Sequence, residues 1–244
     1  EFSEFIEPQL NRYILGEDPN LRSDCLLHDF AEKIRDGQAD KMESFIELVN
    51  GLFQAGLGAT GSFLGLCLHL LLKGNEDNKP EDIQAWFFTE GRSAEDKNEA
   101  VSEYIRVAQQ RLGGIFPRYS PNGGVLQGQE IAPHSLVYMS LTSANMDENA
   151  FAQATRVNPE RIKIPADISP QALRERREKR LEKSMSFSYG EHMCPGRRIA
   201  LVIIRYALEE LFRRYPAMQL KEIDVISEMF GRPSEVVSLH LRLK

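Results

Sequence analysis

The stretch Phe187-Ser188-Tyr189-Gly190-Glu191-His192-Met193-Cys194-Pro195-Gly196 decides how this chain is read. Pro195 suits the first position of a helix, where its missing N–H costs nothing. That puts the Cys194 sulfur at a helix N-terminus, where free N–H groups and the helix dipole favour a thiolate. Gly190 and Gly196 let the backbone bend tightly and lie close to a flat ligand without a Cβ in the way. A lone Cys-Pro-Gly would read as a buried or reactive cysteine at a helix cap; the ten-residue pattern reverses that reading.

Around this loop, the 244 residues are an ordinary globular mixture, 42% apolar and 27% charged, enough for one large domain or two small ones. A net charge of −6 and a pI near 5.5 argue against nucleic acid as a partner, because phosphate binding leaves a basic excess. Cys25, Cys67 and Cys194 are widely spaced, which argues against a disulfide framework or a Cys-x-x-Cys metal site. Cys25 and Cys67 lie among apolar residues and read as small buried hydrophobes. His28, His69, His134 and His240 show no metal-ligand spacing, and Trp86, Phe87 and Phe88 read as core. No signal peptide opens the chain, and its most apolar stretch, 63–72, is too short to cross a bilayer. A cytoplasmic location follows only if no membrane anchor lies upstream of Glu1.

Helical spacing of Leu26, Leu27, Phe30 and Ile34 predicts a helix over 23–37, capped by Ser23 or Asp24. A longer helix is expected at about 40–73, with Phe45, Ile46, Val49, Leu52 and Phe53 on one face and Gly51, Gly56, Gly58, Gly61 and Gly65 along its centre. Each glycine costs about 1 kcal/mol relative to alanine in a helix interior, so close approach of a neighbouring helix or a flat ligand should compensate. There follow an amphipathic island at 83–88, a helix at about 95–112, and a hairpin of 125–131 with 135–141. A charged helix at 169–183, an amphipathic helix at 194–215 and strands near 225–229 and 236–243 complete a mainly α pattern with a small β component. One domain over 1–244 is expected.

With those elements in order, residues 187–196 resemble the heme-binding signature of the cytochromes P-450, Phe-x-x-Gly-x-His-x-Cys-x-Gly, at every defining position. Glu103-Tyr104-Ile105-Arg106 is similar to the family's Glu-x-x-Arg helix, in which residues three apart face one another. Asn158-Pro159-Glu160-Arg161-Ile162 resembles the Pro-Glu-Arg-Phe element, whose arginine, here Arg161, completes an ion-pair triad with Glu103 and Arg106. Arg118, in Phe116-Pro117-Arg118, resembles the arginine aimed at a heme propionate, and Asn145-Met146-Asp147 resembles an Asn-Arg-Asp segment that follows the hairpin.

The resemblance implies a cytochrome P-450-like fold, represented by its C-terminal portion with the N-terminal portion absent. It implies heme b (iron protoporphyrin IX) ligated by Cys194, with Phe187 shielding the sulfur, His192 and Arg118 at the propionates, and Arg106 in their supporting network. Gly190 and Gly196 shape the loop. A thiolate ligand pushes electron density to iron and favours O–O cleavage, the chemistry that oxygen insertion needs. The implied activity is monooxygenation of a small, apolar or amphipathic organic substrate. A ferredoxin or reductase would dock on the cysteine-loop face, near Arg174, Arg176, Arg177, Lys179, Arg180 and Lys183; a solvated charged helix accounts for the same run. An N-terminal half or a second chain would complete the heme pocket. Phe230-Gly231-Arg232 lies where the family's terminal hairpin reaches substrate.

One helix departs from the family. The distal helix there carries Ala/Gly-Gly-x-acid-Thr, whereas this chain has Ala55-Gly56-Leu57-Gly58-Ala59-Thr60, so Gly58 replaces the acid and Ala59 the alcohol. Thr60 is one residue on, a rotation of about 100°. Ala55, Gly56, Gly58, Ala59 and Thr60 would line the distal face without the usual proton relay, and such general-acid help is worth roughly 10²- to 10⁴-fold. Peroxide-dependent oxidation or rearrangement is therefore the alternative reaction. A non-catalytic heme-binding or partner-binding module is the alternative of another class.

Overall fold

Helices arise here where apolar residues recur at helical spacing, and their caps decide where they start. The computed structural model describes residues 2–16, 22–37, 42–111, 115–162, 169, 171–172, 184–226 and 235–243. The architecture is mainly helical, with three two-stranded antiparallel sheets among the described residues. Two compact units divide the chain, residues 1–57 and 58–244.

The first unit holds α1 (Phe2–Leu15), α2 (Leu26–Arg35) and the opening turns of α3 (Met42–Lys73). Leu10, Ala31 and Val49 are its buried centre. Helix α1, which has no counterpart in the sequence reading, carries Pro8 in its interior, where a missing N–H costs one helix hydrogen bond. Burial of Leu10 against Ala31 outweighs the lost hydrogen bond. The cap of α2 is Cys25, in extended conformation, rather than Ser23 or Asp24. Asp24 is engaged by Arg22, 2.9 Å at both carboxylate oxygens. Cys25 is half-buried with its sulfur 3.4 Å from the Tyr13 hydroxyl, so it is not the buried hydrophobe expected. Cys67 is fully buried, and burial pushes its thiol far up from the ordinary range.

Helix α3 runs 32 residues. By length and composition Glu47–Lys73 is enough to cross a membrane, with mean hydropathy 1.6, so the span is longer than the stretch 63–72 indicated. Its last turns are nevertheless those of a core helix, with Leu66, Cys67, Leu68, Leu70 and Leu71 all buried. At Gly51, Gly56 and Gly61 an added Cβ would meet nothing within 4 Å, so no neighbouring helix in the described structure accounts for these glycines.

In the second unit, α4 (Pro80–Phe88) and α5 (Ala94–Ala108) follow, and α5 tightens into a 3-10 turn at Gln109–Arg111. A capping box starts α5: the Ser93 hydroxyl accepts from the Asp96 amide at 3.1 Å, and the Asp96 carboxylate accepts from the Ser93 amide. The core packs Cys67, Leu71, Phe87, Val101, Tyr104 and Ile105 against Ile204 and Leu208 of α7 (Arg197–Arg214). Lys97 and Asn98 on α5 meet Glu209 and Arg205 on α7 at 2.8 and 2.9 Å, fixing the two helices side by side.

The small sheets differ from the expected hairpin. Strand β1 (Ile115–Ser120) pairs with β4 (Ser135–Ser140), and β2 (Gly124–Leu126) pairs with β3 (Gln129–Ile131). The segment 125–131 folds back on itself, because Gln127 and Gly128 both adopt positive φ, +50° and +82°. Pro117, which reads as a turn signal, sits within β1 opposite Tyr138; a two-stranded ladder leaves an edge where its missing N–H is tolerated. Helix α6 (Leu141–Asn145) follows β4 directly. The closing pair is β5 (Gln219–Ile226) with β6 (Glu235–Arg242), beginning earlier than expected. The basic run 174–183 and Phe230-Gly231-Arg232 lie outside the described residues.

Candidate functional site

Short backbone hydrogen bonds shape the cysteine loop. The Cys194 amide donates to the Phe187 carbonyl at 2.8 Å, the Met193 amide to Gly190 at 3.1 Å, and the Ser188 amide to Met185 at 3.0 Å. Ser188 and Gly190 take positive φ, +61° and +67°, which turns the chain twice within three residues. Gly190–His192 forms a 3-10 turn, and His192 is exposed.

Helix α7 starts later than the sequence indicates. Gly196 is its N-cap and Arg197 its first residue, so Pro195 lies in the turn before the helix rather than at its first position. That turn is closed by the Arg197 amide on the Cys194 carbonyl at 3.4 Å. The Cys194 sulfur is thereby held just ahead of the helix, free and half-buried. A Cβ added at Gly196 would stand 4.0 Å from that sulfur. Phe187 packs against the main core, anchoring the loop from beneath.

Beside the loop is a buried ionic network. Arg106 donates from Nε and Nη2 to the two carboxylate oxygens of Glu103, each at 2.8 Å, and both side chains are almost wholly buried. Arg161 reaches Glu103 Oε1 at 3.3 Å, and the Asn158 amide donates to the same oxygen at 3.1 Å. The remaining donor capacity of Arg106 goes to the carbonyls of Asn145 and Ala154, both at 2.7 Å, and its guanidinium lies 4.6 Å over the Phe151 ring. Arg106 is thus committed to protein partners and stands within the network rather than facing a ligand.

Asn145, which sequence reading placed only in a segment resembling Asn-Arg-Asp, joins this network to the residues before the loop. It is completely buried. Its carboxamide oxygen accepts from the Met185 amide at 2.7 Å, and its nitrogen donates to Gln109 at 2.6 Å and the Ser186 hydroxyl at 3.2 Å. Its place in a segment resembling Asn-Arg-Asp was the only signal, since an asparagine after a hairpin ordinarily reads as a turn residue.

The other candidates are more open. Arg118 lies on β1 opposite Val137, partly exposed, and donates to the Pro117 carbonyl at 3.0 Å. Ala55, Gly56, Gly58, Ala59 and Thr60 occupy successive turns of α3; Ala55, Gly56 and Ala59 are exposed, Gly58 and Thr60 partly so. Among the described residues, no group of three His, Cys, Asp or Glu side chains could hold a metal ion.

Comparison with known proteins adds a family. The cytochrome P-450 family model matches residues 98–239. The mycinamicin IV hydroxylase/epoxidase of Micromonospora griseorubida is 27% identical over 183 residues, covering 73% of this chain and 38% of that protein. A probable mitochondrial cytochrome P-450, 12b2, of Drosophila melanogaster is 25% identical over 233 residues, covering 91% of this chain and 42% of that one. Among solved structures, cytochrome P-450 MoxA from Nonomuraea recticatena matches with a TM-score of 0.74 at 20% identity, covering 99% of this chain and 52% of its own. Cytochrome P-450 CREJ in complex with (4-ethylphenyl) dihydrogen phosphate matches with a TM-score of 0.72 at 20% identity, covering 100% of this chain and 52% of its own. The chain therefore spans about two-fifths to half the length of these relatives, and over that span it has their fold.

Proposed function

The chain belongs to the cytochrome P-450 family, and on that premise we propose that it binds heme through Cys194 and oxidises a small organic substrate. The observation that carries this reading is the half-buried Cys194 thiol, held by the Cys194–Phe187 backbone bond and left clear by Gly196.

The residues present fit a heme. Cys194 would supply one thiolate ligand, Gly190 and Gly196 would keep Cβ atoms away from a flat face, and Phe187, packed against the core, holds the backbone carbonyl that the Cys194 amide meets. His192 and Arg118 are the proposed propionate partners; both carry N–H donors on accessible side chains. When bound, heme with a thiolate ligand supplies the electron-rich iron that O–O cleavage requires. Heme b is the proposed type. The Glu103–Arg106–Arg161 network ties α5 to the 153–161 segment.

On the distal helix, Ala55, Gly56, Gly58 and Ala59 offer neither acid nor alcohol, and Thr60 faces about 100° away from the position a hydroxyl would need. Proton delivery to dioxygen from these five positions would be correspondingly weak. That favours a second reading, peroxide-dependent oxidation or rearrangement. Completion of the pocket by an N-terminal half or a second chain, and electron supply by a ferredoxin or reductase, belong to the monooxygenase proposal.

The test is turnover of the heme-loaded protein with a panel of small apolar substrates, under a reductase and dioxygen or under hydrogen peroxide alone. Product in the first arm supports monooxygenation. Product only with peroxide supports the second reading, and heme binding with no product in either arm leaves a binding module.

A further inference from the structure

We propose that Asn145 is a positioning residue for the thiolate, locking the segment that enters the cysteine loop to the buried Glu103–Arg106 pair. The proposal rests on the reading of Cys194 as the heme ligand, and its geometry stands independently of any bound group.

Four contacts converge on Asn145, from three parts of the second unit. Its backbone carbonyl accepts from Arg106 Nη1 at 2.7 Å, which joins it to the ion pair on α5. Its side-chain nitrogen donates to Gln109 Oε1 at 2.6 Å, at the 3-10 turn that ends α5. The same nitrogen reaches the Ser186 hydroxyl at 3.2 Å, and the side-chain oxygen accepts from the Met185 amide at 2.7 Å. Met185 and Ser186 immediately precede Phe187, whose carbonyl takes the Cys194 amide at 2.8 Å. A continuous path of short hydrogen bonds and chain thus runs from Glu103 through Arg106, Asn145 and the 185–187 segment to Cys194.

The chemistry of the side chain fits this post closely. An amide presents an acceptor and a donor on one rigid plane, and here each end is used with the side chain completely buried. Met185 has no other secondary structure to receive its N–H, because residues 184–185 lie in neither helix nor strand. Without the Asn145 oxygen, that amide is a partly buried donor with no acceptor, and the segment carrying Phe187 is free to shift. Thiolate placement needs sub-ångström constancy, so the residue that fixes the 185–187 segment governs the sulfur without touching it.

The experiment compares Asn145→Ala with Gln109→Ala. Both remove the buried 145–109 hydrogen bond, and only the first frees the Met185 amide. Hydrogen exchange followed by NMR on the heme-free protein should show the Met185 and Cys194 amides of Asn145→Ala exchanging about tenfold faster, the loss of one hydrogen bond. Gln109→Ala should leave both within about threefold of wild type. In the heme-loaded proteins, the red-shifted Soret band of the reduced CO complex should diminish in Asn145→Ala and persist in Gln109→Ala.

Equal effects of the two substitutions, in exchange or in spectrum, would overturn the positioning role. If Asn145→Ala gives no folded protein, Asn145→Asp decides: it keeps the oxygen that Met185 needs and loses the donor. Retained Met185 protection there supports the proposal, and exchange as fast as in the unprotected chain overturns it. A wild-type protein lacking the red-shifted band would defeat the Cys194 reading alone, since the exchange comparison is made without heme.

Discussion

Arg106 and Glu103 form a two-point ion pair, Nε to Oε2 and Nη2 to Oε1, each 2.8 Å, with their side chains only 1% and 3% exposed. Such a pair is expensive to break from one side, because the surviving charge stays buried. Glu103→Gln or Arg106→Met should lower stability by about 3–5 kcal/mol, read as the shift in urea midpoint. Arg106→Lys should rescue little, since a lysine cannot serve two carboxylate oxygens and two carbonyls on one plane. Arg161→Ala, at 17% exposure and with Glu103 still paired to Arg106, should cost about 1 kcal/mol. Equal losses at Arg106 and Arg161 would contradict this order.

His69 makes stability depend on pH. Burial first, then the nearby Arg111 and Lys73 charges, pulls its imidazole down to about 4 from the usual 6.5. Between those values the unfolded chain binds a proton that the folded chain refuses. Stability contributed by the neutral ring is therefore present above pH 6.5 and is lost as pH falls toward 4. Urea midpoints at pH 7, 6 and 5 should decline more steeply for wild type than for His69→Gln; parallel curves would contradict the assignment.

Gly190 and Gly196 make different demands on the loop. Gly190 has φ of +67°, so Gly190→Ala should cost about 1–2 kcal/mol in backbone strain even though its Cβ would meet open space. Gly196 has φ of −82°, and its added Cβ would make only ordinary contact with the Cys194 sulfur. Gly196→Ala should therefore fold with unchanged thermal midpoint yet bind heme more weakly. A destabilised heme-free Gly196→Ala, or one with wild-type heme affinity, would contradict this division.

The cysteine loop and the Glu103–Arg106 pair were legible because each depends on side chains at short, fixed spacing; Arg161, 58 residues from Glu103, was legible only through the resemblance of its segment to the family's, and the structure joins the three charged residues within hydrogen-bonding distance. Elements held by tertiary contact were not. Helix α1 survives Pro8 by burying Leu10, and β1 absorbs Pro117 because it lies in a two-stranded ladder; neither partner is adjacent in sequence. Local competition misplaced two helix starts. Arg22 occupies Asp24 ahead of α2, and the turn through Pro195 delays α7 to Arg197. The role of Asn145 was hidden because its partners Gln109 and Met185 are 36 and 40 residues away.

The distal helix supplies a reversal test. Placing acid and alcohol at their family positions, Gly58→Asp with Ala59→Thr, should raise dioxygen-dependent product relative to peroxide-dependent product, by about 10²-fold if the relay is what is missing. An unchanged ratio would show that these two positions do not limit proton delivery.

The central claim is that the Cys194 sulfur ligates heme iron, and the most direct measurement is the absorption spectrum of the heme-loaded protein, reduced and CO-bound. The account predicts a strongly red-shifted Soret band in wild type, lost in Cys194→Ser while the circular dichroism of the helices is unchanged. A wild-type spectrum without that band, or a Cys194→Ser spectrum identical to wild type, would contradict it.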